Sequence, residues 1–193
     1  GVPVINSLSD DYHPCQILAD ILTILEHKGK LAGLKIAYIG DAANNMANSY
    51  LIGCALAGMN VAVAGPAGYQ PDHRVVARAE LIAAEHGGSV EVFGEPIGAI
   101  TDADIVVTDT WISMGQEAEK AKRLADFAGY TIDSDLMKRA KPDAIFMHCL
   151  PAYRGYEVSA EVLDGPHSVI WDEAENRLHA QKALMAWLAE QAG

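Results

Sequence analysis

Lys35-Ile36-Ala37-Tyr38-Ile39-Gly40, then Asp41-Ala42-Ala43-Asn44-Asn45, then Met46 to Gly58, reads as a strand, a turn and a helix. A short apolar run bounded by turn residues suits a buried strand. Asn and Asp gather where a chain turns or a helix begins, and the stretch after them is rich in small and apolar residues. Val61 to Ala64 then supplies a second strand, so the unit is β-α-β. Two strands joined by a helical crossover pair in parallel, and a parallel sheet needs helices on both faces.

The same alternation continues outward. Downstream come a helix from about Pro71 to His86, a strand from Ser89 to Phe93, a short helix near Ile97–Ile100 and a strand from Ile105 to Thr108. A loop, Asp109 to Gln116, leads into helical material through Phe127, and Ile145 to His148 is the fifth strand. Val169 to Trp171 has the composition of a short sixth, ahead of a closing helix from Asp172 to Gln191. Upstream, residues 13–27 carry Ile17, Leu18, Ile21 and Leu25 at helical spacing, with Pro14 in the first turn and Gly29 at the end. The pattern predicts an α/β, doubly wound, Rossmann-like fold: a mostly parallel sheet of about five strands in a single domain over residues 1–193.

Half of the 193 residues are hydrophobic and 21% are charged, as in a globular chain. A formal net charge of −12 argues against nucleic acid and against an anionic membrane surface as partners, but leaves small anionic ligands open. Three widely spaced cysteines make a disulfide framework unexpected and suit a reducing cytoplasm. No apolar run is long enough to span a bilayer. A start at Gly1 rather than Met raises the expectation of a fragment.

In such a sheet ligands bind just beyond the carboxyl ends of the strands, so polar residues there carry functional weight. Asp41, Asn44 and Asn45 form the first such cluster. One helix cap accounts for Asn44 and leaves Asn45 for a ligand. A dinucleotide fingerprint would need two further glycines after Gly40, and they are absent. Asp109 to Gln116 is the second cluster. It puts Trp111 and Met114 in a loop with Gly115 as a hinge, which suits a mobile lid with a carboxylate for a ligand ammonium. Cys149, just past the fifth strand, is the third. His148 beside it points to the opposite face, so no Cys–His pair is implied. Two helix-start clusters, His13-Pro14-Cys15-Gln16 and Trp171 to Arg177, read as structural by spacing alone. The latter's acids suit the helix dipole, and a zinc site at His13 and Cys15 is disfavoured by their divergence on a helix.

Taken together, HPCQ (His13–Gln16), GDAANN (Gly40–Asn45), DTWISMGQ (Asp109–Gln116), HCLPAYRG (His148–Gly155) and WDEAENRLHAQKALM (Trp171–Met185) resemble the ornithine carbamoyltransferases, in that family's order. The resemblance covers the ornithine-binding half. The Ser-Thr-Arg-Thr-Arg motif of the family's carbamoyl-phosphate domain is not in this chain. It implies that Asn45, Asp109, Ser113 and Met114 hold the amino and carboxylate groups of L-ornithine. His13 and Gln16 would contact the carbamoyl group of carbamoyl phosphate, and Arg177 its phosphate end. Cys149 and Leu150 would line the reacting centre, with Cys149 the catalytic residue near the attacking amine.

It further implies no metal and no organic cofactor, a cytoplasmic enzyme of arginine biosynthesis, and a homotrimer built largely through the missing domain. Residues 1–12 and 175–193 would join or pack on that domain, leaving Leu178, Leu184, Met185 and Leu188 short of cover and the fragment inactive alone. Two alternatives are a carbamoyltransferase of another amine such as putrescine, and a non-catalytic amino-acid-binding domain. The intact Asp109–Gly115 string weighs against both.

Overall fold

The computed structural model describes residues 2–113 and 115–192; Met114, an expected ornithine contact, lies outside the described residues. The opening unit forms as its sequence predicts: β1 (Lys35–Ile39), α2 (Asn45–Leu56) and β2 (Asn60–Ala64), preceded by α1 (Pro14–Lys28). There follow α3 (His73–His86), β3 (Ser89–Phe93), α4 (Pro96–Ile100), β4 (Ile105–Thr108), α5 (Lys120–Asp126), α6 (Ser134–Met137), β5 (Ile145–His148), α7 (Ala160–Leu163) and α8 (Ile170–Ala192). The five strands lie in the order β3-β2-β1-β4-β5, every neighbour parallel.

Alternation along the strands divides the core in two. Ile36, Tyr38, Val61, Val63, Ile105 and Val107 pack on one face with Ile17 and Ile24 of α1 and Met46, Tyr50 and Leu51 of α2. Ala37, Ile39, Ala62, Val106 and Phe146 pack on the other with Ile100, Phe127 and Leu163. This is the doubly wound arrangement, with helices on both faces. The chain order reverses direction between β1 and β4, so the crevice beyond their carboxyl ends is the natural ligand position.

Two expectations are corrected here. Val169 to Trp171 is not a sixth strand: only Ser168 bridges Phe146, and the helix has begun by Ile170. Glu173 is not a surface acid serving the helix dipole, since it is fully buried and accepts from the His148 N–H at 2.8 Å. The closing helix lies along α1, rooted by buried Glu173, Asn176 and Ala180, while Leu178, Met185 and Trp187 are exposed.

Candidate active site

Each strand end delivers its polar residue for a local reason. After β1 the chain must turn tightly, and Gly40 (φ +141°) allows it to pass where a Cβ would meet Thr108 Oγ1 at 3.2 Å. Asn44 then caps α2, its side-chain oxygen accepting from Ala47 N–H at 2.8 Å. The cap has a second use: its amide nitrogen donates to Asp109 Oδ2 at 3.2 Å. Asn45, one residue on, donates to the Ser9 carbonyl at 3.0 Å and borders the cavity.

Asp109 follows β4 and is buried. Its Oδ1 accepts from Thr110 N–H at 2.7 Å and from the Cys149 thiol at 3.3 Å. Burial pushes this carboxyl above the usual carboxylate range, opposed by the bond from Thr110 N–H. The Cys149 thiol is pushed up as well, first by burial and then by Asp109, Glu173 and Asp20. Before any cation binds, Cys149 is therefore a thiol that donates, not a thiolate.

Trp111 does not belong to a mobile lid. It is buried, stacked on Phe127 with ring centroids 5.2 Å apart, and its carbonyl accepts from Arg123 at 3.0 Å. Arg123 is itself paired with Asp41 at 2.7 Å in the interior. The first half of the loop is thus pinned to the core, and Asp41 is structural. After β5, Leu150 takes a left-handed φ of +56°, costly for a non-glycine residue, and its N–H donates to His148 Nδ1 at 2.9 Å. Because Nδ1 accepts, the proton sits on Nε2, which faces Glu157 at 3.3 Å. His148 is buried in this pair and does not serve Cys149.

These strand ends meet the starts of α1 and α8 around a cavity of about 470 Å³. Eight of the nine expected site residues line it: His13, Gln16, Asn45, Asp109, Ser113, Cys149, Leu150 and Arg177. His13, at the α1 N-cap position, makes no side-chain cap bond, so the capping explanation fails. His13 Nδ1 and Gln16 Oε1 are buried and have no hydrogen-bond partner among the described residues. The His13 imidazole is held below its ordinary pKa, chiefly by burial. Arg177 makes no ion pair among the described residues, so pairing with its neighbouring acids does not explain it either. Lys120, Tyr153 and Tyr156 also line the cavity, and sequence reasoning missed them. Lys120 sits 5.4 Å from the Tyr156 ring centre. Nothing in their spacing marks them.

One donor set could in principle bind a soft cation: ligand atoms of Asp109, His148 and Cys149 lie within 4.8 Å of one another. Both His148 nitrogens are already engaged, so the set offers no free imidazole lone pair.

The family model for the aspartate/ornithine carbamoyltransferase Asp/Orn binding domain matches residues 32–188, and that for the carbamoyl-P binding domain matches residues 1–26. The ornithine carbamoyltransferase of Clavibacter sepedonicus is 63% identical over 190 residues, covering 98% of this chain and 62% of its own length. That of Renibacterium salmoninarum is 64% identical over 189 residues, covering 98% and 61%. The solved ornithine carbamoyltransferase from Pyrococcus furiosus superposes with a TM-score of 0.89 at 54% identity, over 93% of this chain and 57% of that one. The chain spans about 60% of the length of the curated relatives it matches. It belongs to the aspartate/ornithine carbamoyltransferase family, where most of its length is the Asp/Orn binding domain.

Proposed function

We propose that the chain is the ornithine-binding part of a cytoplasmic, arginine-biosynthetic ornithine carbamoyltransferase. Carbamoyl phosphate would be held jointly with a carbamoyl-phosphate module, in a homotrimer. In the reaction the side-chain amine of ornithine forms a bond to the carbamoyl carbon, the bond to the phosphate oxygen breaks, and the amine's surplus proton passes to phosphate or water.

Asp109, already held rigid by three donors, takes the α-ammonium, and Asn45, Ser113 and Met114 take the rest of the amino-acid head. A fixed head holds the side-chain amine against the carbonyl, a proximity effect. His13 and Gln16 offer their unpartnered atoms to the carbamoyl group, and Arg177 offers its guanidinium to the phosphate. Cys149 and Leu150 border the reacting amine. A bound ammonium would offset the Asp109 charge and draw the Cys149 thiol back down, coupling amino-acid binding to the proton affinity of the reacting centre.

The observation that carries this reading is the pair of buried, unpartnered polar atoms on the first turn of α1, facing a cavity whose other wall holds a buried carboxylate. Of the six such side-chain atoms among the described residues, these two belong to residues that line the cavity, where a ligand can meet them. Calorimetry of the chain with L-ornithine and with carbamoyl phosphate, alongside a citrulline assay, tests it. Ornithine binding without citrulline is expected. Full turnover by the chain alone would overturn the half-site reading, and preference for putrescine over ornithine in the complete enzyme would overturn the substrate.

A further inference from the structure

Behind the cavity wall, α1 and α8 enclose two carboxyl groups that the chemistry above does not use. Asp20 and Glu173 are each fully buried, and neither lines the cavity. Asp20 Oδ2 accepts from the Tyr50 hydroxyl at 2.6 Å, and Asp20 Oδ1 accepts from Gln16 Nε2 at 2.8 Å. Glu173 Oε2 takes the His148 N–H, while its Oε1 lies 3.5 Å from the same Gln16 nitrogen. Gln16 Nε2 thus lies between the two carboxyls, and burial raises both above the usual carboxylate range. Arg177, the cation that acts on both, is exposed, so two adjacent anions here would be costly.

This arrangement dictates which way the Gln16 amide faces. Turned over, its oxygen would trade the 2.8 Å bond to Asp20 Oδ1 for an oxygen–oxygen contact that needs the carboxyl proton to move onto Oδ1. We propose that Asp20 and Glu173 form one positioning unit that locks the Gln16 amide with its nitrogen inward, so that its oxygen meets an N–H-bearing group of the ligand. The proposal rests on the carbamoyltransferase reading for the ligand's identity, because a carbamoyl group carries an NH2 where an acetyl group carries a methyl. A site built around an acceptor discriminates strongly against an analogue that lacks the donor. Selection of carbamoyl phosphate over acetyl phosphate is then set partly by two residues that touch neither.

The test is kinetic, in the full-length enzyme, with Asp20→Leu, Asp20→Asn and Glu173→Gln. Asparagine or glutamine keeps one donor and one acceptor in the pair; leucine keeps neither. Asp20→Leu is expected to raise KM for carbamoyl phosphate about tenfold or more. The same change should leave KM for ornithine within about threefold and erase most of the preference over acetyl phosphate as a competitor. Asp20→Asn and Glu173→Gln are expected to stay near the native values. A folded Asp20→Leu enzyme with unchanged discrimination would overturn the proposal, as would both KM values rising together or Asp20→Asn behaving like Asp20→Leu. If Asp20→Leu does not fold, the hydrogen-bond scalar coupling between Gln16 Nε2 and the Asp20 carboxyl carbon in the native chain decides. Its presence supports the orientation and its absence overturns it. A native full-length enzyme that makes no citrulline would sink the carbamoyltransferase reading instead, and that coupling would still report on the amide.

Discussion

The two walls of the cavity are built differently. The strand-end wall is satisfied from within: both Asp109 oxygens accept, from Thr110 and Cys149 on one side and Asn44 on the other. The helix wall is not, since His13 Nδ1 and Gln16 Oε1 are buried without partners and Arg177 is unpaired among the described residues. A satisfied wall is a preset mould, rigid before the ligand arrives. An unsatisfied one stores hydrogen-bonding capacity that only a ligand can use. Under the proposed function, the mould takes the amino acid and the unsatisfied wall takes the reacting group.

The largest test of that division is Asp109→Asn. Truncating one member of a buried charge pair costs several kcal/mol, so KM for ornithine in the full-length enzyme should rise roughly 100-fold or more. Stability should change little, within about 1 kcal/mol, because the lost bond to Asn44 is offset by the removal of a buried charge. Urea unfolding of the same variant checks the second half. A normal KM would remove Asp109 from amino-acid binding and break the comparison.

Asn44→Ala addresses the mould's rigidity. It loses a helix cap and a bond to the Asp109 carboxylate, together about 2 kcal/mol of unfolding free energy. The matched change on the other wall, Arg177→Ala, should leave stability within about 0.5 kcal/mol. Equal losses in the two variants would mean the walls are not built differently.

The strand-end wall was legible in the sequence and the helix wall was not. Strands announce themselves by apolar runs bounded by turns, and their ends then mark Asp109, Asn44, Asn45 and Cys149 without any contact being known. His13, Gln16 and Arg177 sit on helices that reach the cavity only through tertiary packing, and local spacing sees a cap and an ion pair there. Only the family resemblance raised them. Glu173 shows the limit most clearly: an acid in a first helical turn is ordinarily explained by the dipole, and burial between two helices 150 residues apart leaves no local trace. Trp111 misled in the opposite direction, because a loop position does not reveal that its ring stacks on Phe127. The four-residue helices α6 and α7 were too short for periodicity to register.

The seam behind the helix wall makes a pH prediction. Burial raises the Asp20 carboxyl from its ordinary 3.8 to about 6, and holds Glu173 well above its ordinary value. The folded chain therefore keeps protons that the unfolded chain releases, and stability from this pair is full below about pH 4 and is lost as pH rises through 6 and beyond. One retained proton corresponds to about 1.4 kcal/mol per pH unit. Glu173→Gln removes one such proton while keeping an acceptor for the His148 N–H, so its unfolding free energy should fall less steeply between pH 5 and 8. A slope as steep as that of the native chain would place the proton elsewhere.

The smallest effect concerns Cys149, where the mould's own charge acts on its own thiol. Burial is the first cause of the raised pKa and Asp109 the second, so Asp109→Asn removes only the lesser. More thiolate forms at a given alkaline pH, but access for a reagent is unchanged because the fold around the thiol is unchanged. Alkylation at pH 8.5, read at the Cys149 peptide, should therefore speed up only about two- to fivefold in the variant. Cys54 is the internal control: burial raises its thiol, with Asp20 second, and Asp109 plays no part, so its modification should not respond. Slower alkylation of Cys149 in Asp109→Asn would mean that the carboxylate acts mainly as an acceptor that draws the thiol proton, not as a charge that retains it. The two wall residues would then be linked by proton sharing, and the satisfied wall would be a titrating unit instead of a rigid mould.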